Sequence, residues 1–177
     1  MNVPTVEYRV GQLIGTRQVL ELTGLTADQL REWTVRRNLI APDIPAQKRG
    51  SGARFGWRTV LLLRLAVVLR QRFHVELQAH SDLFGHARAL LGDLSFPALW
   101  GMTLVIYDLE RCALLDDGVS LADEDALLLR LDRHLEALSR GFGMIEPLVQ
   151  LPLFPLRAVA GEDRVEGSFR VGRERSA

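Results

Sequence analysis

The sequence predicts two segments of different fold class, a mainly α N-terminal segment and a small α+β C-terminal one. Three observations lead there. Residues before about 73 carry two short capped helical stretches, a glycine-broken basic loop and a long apolar helix; residues after it alternate helical and β-branched patterns; and charge is divided between the two. Residues 1–73 hold twelve basic and five acidic residues and the remainder ten and seventeen, although the 177-residue chain has a formal net charge of zero. An imbalance of this size points to a polyanionic partner for the first segment.

Composition narrows the classes further. A hydrophobic share of 47% is enough to build a packed core. The single Cys112 excludes an internal disulfide and any cysteine-paired zinc site. No apolar run approaches the roughly 20 residues needed to span a bilayer, and the N-terminus MNVPTVEYRV lacks a signal-type apolar stretch. A cytoplasmic protein with no membrane partner is expected. There is no P-loop, dinucleotide fingerprint or Gly-x-Ser-x-Gly. The acidic clusters Asp116-Asp117 and Asp123–Asp125 fall at a turn and a helix start, where the helix dipole accounts for them. No enzyme and no cofactor are expected.

The elements follow in order. Thr16 is a plausible N-cap for a short helix over Arg17–Leu22 that stops at Gly24. Thr26 with Gln29 three residues on forms a capping box for a second helix. On that helix Leu30, Trp33 and Val35 are read as the apolar side, with Gln29, Arg31, Glu32, Thr34 and Arg36 outside. Asn38 suits a left-handed stop. Two short helices joined through a glycine turn make a helix-turn-helix pattern. Pro42–Gly56, with three glycines and Lys48, Arg49 and Arg54, suits a small hairpin around Gly50-Ser51-Gly52. Trp57–Phe73 then reads as one helix, apolar but interrupted by Arg58, Arg64, Arg70 and Arg72.

This order of parts resembles the MerR family of transcription regulators. The likeness lies in GTRQVLELTGLTADQLREWTVRRNLIAP, the hairpin reading GSGARF, and GWRTVLLLRLAVVLRQRF, and covers about a third of the chain. Two positions depart from it: Glu32 stands where an aromatic is common, and Thr34 where an acidic residue is common. The resemblance implies a winged helix-turn-helix domain over 1–73, in which the second helix enters the major groove and the wing grips flanking phosphates. The implied DNA-binding residues are Arg17, Thr26, Gln29, Arg31, Thr34, Arg36, Arg37, Lys48, Arg49 and Arg54, with Phe55 packing the hairpin onto the domain and Trp33 in the core. Residue chemistry agrees: Arg binds guanine O6 and N7 in a fork, Gln reads adenine, and Thr and backbone amides hold phosphates.

The second segment, 74–160, reads as a small α+β effector or dimerisation domain, followed by a flexible tail over 161–177. Ser81 to Gly92 is helical; Met102–Tyr107 and Cys112–Leu115 pair as strands across Asp108-Leu109-Glu110. Asp123–Arg140 reads as an amphipathic helix with Leu128, Leu131, Leu135 and Leu138 at heptad spacing. Two heptads are short for a coiled coil, so a core helix covering the small sheet is preferred. Met144–Leu156 is extended in character, with Pro152 and Pro155 confining it to an edge or a surface arm. His74, His80 and His86, six residues apart near Glu76 and Asp82, lack a known ligand spacing, so surface or partly buried polar histidines are preferred to a metal site. Cys112 is read as a small buried apolar residue.

Together these expectations describe a sequence-specific, nucleoid-associated transcriptional regulator. It would bind double-stranded DNA as a homodimer on an inverted repeat. A small-molecule or protein effector would act through the second segment. The alternative is a nucleoid-organising or adaptor protein that binds DNA without a regulatory ligand. MerR-like regulators dimerise through a long helix directly after the DNA-binding domain, and no such helix is evident here.

Overall fold

The helix Trp57–Arg72 has no polar face. Thr59, Val60, Leu61, Leu62, Leu63, Leu65, Ala66 and Leu69 are all buried, a run too continuous for a single apolar stripe. A helix apolar on every side must be enclosed by other elements, and the rest of the fold is arranged around it. The computed structural model describes residues 12–48, 51–116 and 125–144 of the chain. These residues belong to one compact unit, Met1–Pro147.

The element order is β1 (Ile14–Gly15), α1 (Thr16–Thr23), α2 (Ala27–Arg31), β2 (Arg54–Phe55), α3 (Trp57–Arg72), α4 (Ser81–Gly92), β3 (Met102–Ile106), β4 (Cys112–Asp116), β5 (Leu127–Arg130) and α5 (Asp132–Phe142). A π-helical turn, Glu32–Arg36, continues α2. The architecture is mixed α/β with two small antiparallel sheets. β1 pairs with β2, Ile14 opposite Phe55. The second sheet has the order β4-β3-β5, with Leu104 facing both Leu114 and Leu129. One hydrophobic core runs from Ile14 to Phe142 and crosses the boundary expected after residue 73.

Three arginines join the layers. Arg58 donates to the Leu91 and Leu94 carbonyls at 2.8 and 2.6 Å, at the C-terminal end of α4. Arg64 donates to the Leu22 carbonyl near the end of α1. Arg88 on α4 reaches the Ala41 carbonyl at 2.8 Å and Thr59 Oγ1 at 3.3 Å. Terminal helix carbonyls have no partner within the helix, and a guanidinium satisfies them while opposing the negative end of the helix dipole.

Several expectations change. Gly15, in extended conformation, is the N-cap of α1, and Thr16 is its first residue. The amphipathic helix expected over Asp123–Arg140 is a strand followed by a helix: Leu127–Arg130 pairs with β3, and α5 begins at Asp132. Leu128, four residues from Asp132, lies on the exposed side of β5, whereas Leu131, Leu135 and Leu138 are fully buried. α5 packs chiefly on α3 and α1 rather than covering the sheet. Its approach to α1 depends on Gly141, where a Cβ would lie 2.5 Å from a Leu22 methyl. Met144 itself is described, but the remainder of the extended stretch to Leu156, the turn expected beyond Asp116 and the tail from Gly161 lie outside the described residues.

His134, absent from the sequence expectations, is buried in the first turn of α5. Burial, with the charges of Arg64, Arg133 and Arg72 added, lowers its pKa from 6.5 to about 4. Below pH 6.5 the unfolded chain takes up a proton that the folded chain refuses, so stability falls as pH drops from 6.5 toward about 4 and levels off below that. The full loss is on the order of 3 kcal/mol. Denaturant unfolding across this range is expected to show a steeper acid loss in the parent protein than in His134→Leu; equal slopes would mean that the imidazole is solvated.

Candidate nucleic-acid interface

α1 ends at Gly24, whose left-handed φ of 74° lets the chain turn and start α2 within three residues. The capping box expected at Thr26 is present. Thr26 Oγ1 accepts from the Gln29 amide at 3.2 Å, and Gln29 Oε1 accepts from the Thr26 amide at 3.0 Å. Both side chains are therefore engaged at the helix start while remaining exposed.

The faces of α2 and its π turn differ from the expectation at two residues. Thr34 is buried, and its hydroxyl donates to the Leu30 carbonyl at 2.7 Å. Val35 is 65% exposed. Spacing explains both: Thr34 is four residues from Leu30 and shares its side of the helix, and Val35 is five away and does not. The hydroxyl enters the core because a backbone carbonyl satisfies it. Thr34 is thus withdrawn as a residue able to reach a groove. Trp33 is buried, as expected, with the Arg70 guanidinium 5.8 Å from its ring centre. Asn38, at φ 49°, closes the segment in the left-handed conformation expected of it.

Glu32 organises the cations on the outer side. Its carboxylate accepts from Arg36 at 3.2 Å and also pairs with Arg37. These two bonds, Arg37's the stronger, hold its carboxyl below the ordinary value. Arg31 is exposed and has no hydrogen-bond or ion-pair partner among the described residues. Arg17 on α1 pairs with Glu21 at 3.2 Å, with both side chains well exposed.

The basic loop forms a short antiparallel arm. Ile44 and Arg54 exchange backbone hydrogen bonds of 3.1 and 2.9 Å, and Phe55 is buried beneath. Asp43 accepts from the Gly56 amide at 2.7 Å and fixes the base of the arm. At its tip Ser51 Oγ accepts from the Gln47 and Lys48 amides at 3.0 and 2.8 Å. Lys48 and Arg54 are exposed; Arg49 and Gly50 lie outside the described residues.

A cleft of about 210 Å³ opens between the π turn and the end of α3, lined by Trp33, Arg37, Arg70 and residues 74–78. It is smaller than the roughly 300–1,000 Å³ of ordinary small-molecule sites. Among the described residues no three His, Cys, Asp or Glu side chains converge to hold a metal. His86 lies 2.9 Å from the Glu110 carbonyl and ties α4 to the β3–β4 turn. Cys112 is half-buried, and burial raises its thiol pKa, which disfavours the reactive thiolate.

The chain matches no protein-family model, no curated protein and no solved structure. No helix of the described residues is long and apolar enough to cross a membrane.

Sequence reasoning missed the Glu32 clamp and the outward Val35. Glu32 was detectable, because Glu and Arg four residues apart on a helix are ordinary ion-pair spacing. Thr26→Ala removes one bond of the capping box and is expected to cost about 1 kcal/mol in chemical denaturation; an unchanged midpoint would mean that the cap contributes nothing to α2.

Proposed function

We propose that this protein binds double-stranded DNA as a homodimeric transcriptional regulator of the cytoplasmic nucleoid, with α1, α2 and the Ile44–Arg54 arm acting as a winged helix-turn-helix. The observation that carries the reading is the outer side of α2 and its π turn. Three arginines, Arg31, Arg36 and Arg37, stand exposed there, over an inner side sealed by Leu30, Trp33 and Thr34. Short helix pairs with such a face present their second helix to the major groove.

The proposed roles follow from the side chains. Arg31, without a partner among the described residues, is the residue best able to form a bidentate contact with guanine. Arg36 and Arg37 are held by Glu32, which fixes their direction and lowers their net charge; their role is phosphate contact. Lys48 and Arg54 of the arm, together with Arg17 and with Arg49, which lies outside the described residues, would neutralise flanking phosphates. Thr26 and Gln29 sit at the helix start with side chains already bonded, so their contribution is to position the helix. The MerR resemblance supports regulation as the outcome of binding.

With about six phosphate contacts, affinity for a selected duplex is expected to fall about 10³-fold between 50 and 200 mM salt. Arg31→Ala should lose roughly 1–3 kcal/mol of discrimination at one base pair. Glu32→Gln should release Arg36 and Arg37 and steepen the salt dependence by about one to two further ions, at higher affinity for any sequence. Binding that ignores salt would sink the reading. Footprinting that protects one inverted repeat supports the regulator; uniform coverage of any duplex supports an architectural protein instead.

A further inference from the structure

The outer side of α2 and its π turn carries an apolar side chain among its cations. Val35 is 65% exposed, more than any other large hydrophobic residue described. Single exposed apolar residues are ordinary on protein surfaces, so exposure by itself decides nothing. Its position does more. Arg31 lies four residues back on the same helical face, without a partner among the described residues. Of the two acidic groups near Arg31 in sequence, Asp28 makes no ion pair among the described residues and Glu32 is occupied by Arg36 and Arg37. Valine is also a poor choice for an exposed helical position, since its branched Cβ loses rotamer freedom there.

We infer that Val35 contacts the 5-methyl group of a thymine in the major groove, and so sets base preference next to the guanine read by Arg31. The inference rests on the DNA-binding reading above. In the major groove thymine alone presents a methyl group, and apolar side chains recognise it. Four residues across the end of α2 and its π turn advance no more than the roughly 6 Å of an α-helix along the axis. The two contacts therefore fall within about two base-pair steps of one another, at a spacing of 3.4 Å per step. Arg31 and Val35 together specify a guanine and a thymine at adjacent or next-adjacent positions of each half-site.

The test begins with duplexes enriched from a random pool by the full-length protein. Each thymine of the enriched site is then replaced singly by deoxyuridine, which deletes the methyl group and leaves every hydrogen-bonding group in place. One thymine per half-site is expected to respond, with affinity falling about fourfold, the worth of one buried methyl. Val35→Ser, whose exposed position should leave the thermal melt unchanged, should bind the thymine and deoxyuridine duplexes equally. Arg31→Ala should keep the thymine effect while losing the guanine preference. An enriched site at which no thymine responds overturns the inference and leaves DNA binding intact. So does a deoxyuridine effect of equal size in Val35→Ser. A pool that yields no enriched sequence overturns both readings.

Discussion

The enclosure of α3 is the constraint on which the remaining structure depends. A sixteen-residue helix with buried side chains on every side is not stable alone in water, and each buried leucine contributes about 2 kcal/mol only once something covers it. α1, α4 and α5 provide that cover. Each brings helix ends whose carbonyls need donors, and Arg58 and Arg64, projecting from α3 itself, supply two sets of them. The same helix thus drives the packing through its apolar residues and orients it through its cations.

This has an electrostatic consequence. The basic excess of the first 73 residues is only partly available to a polyanion. Arg58 and Arg64 are committed to backbone carbonyls, and Arg70 lies over the Trp33 ring. Among the described residues of this segment the exposed cations are Arg17 on α1, Arg31, Arg36 and Arg37 on α2 and its π turn, Lys48 and Arg54 on the arm, and Arg70 and Arg72 at the end of α3. Glu32 further divides them: two arginines are clamped in fixed directions, and Arg31 is left to respond to what it meets. A charge count exaggerates the field, and geometry shows where the remainder is directed.

Much of the fold was legible in the sequence, for identifiable reasons. The Thr26–Gln29 capping box, the left-handed Gly24 and Asn38, the α3 helix, the α4 boundaries and the β3–β4 pair all rest on local chemistry that tertiary contacts did not override. The differences fall where polarity and spacing point opposite ways. Polarity alone places Thr34 outward and Val35 inward; helical geometry and one bond from Thr34 back to the Leu30 carbonyl reverse both. Leu128 joined a leucine series with Leu131, Leu135 and Leu138, yet a strand-to-helix junction at Leu131 separates it from them. His134 gave no local signal, because its burial depends on how α5 meets α3 and α1. At the candidate interface, residue types were legible and partners were not: nothing in composition distinguishes Arg31, unpaired among the described residues, from the clamped Arg36 and Arg37.

We propose that the outer side of α2 with its π turn, and the Ile44–Arg54 arm, meet DNA. Backbone amide chemical shifts of the full-length protein, recorded as an enriched duplex is added, test it most directly. The largest perturbations are expected over residues 26–37 and 44–55, with β3, β4, β5 and α5 changing little. Perturbations centred on the β4-β3-β5 sheet, with α2 unmoved, would contradict it.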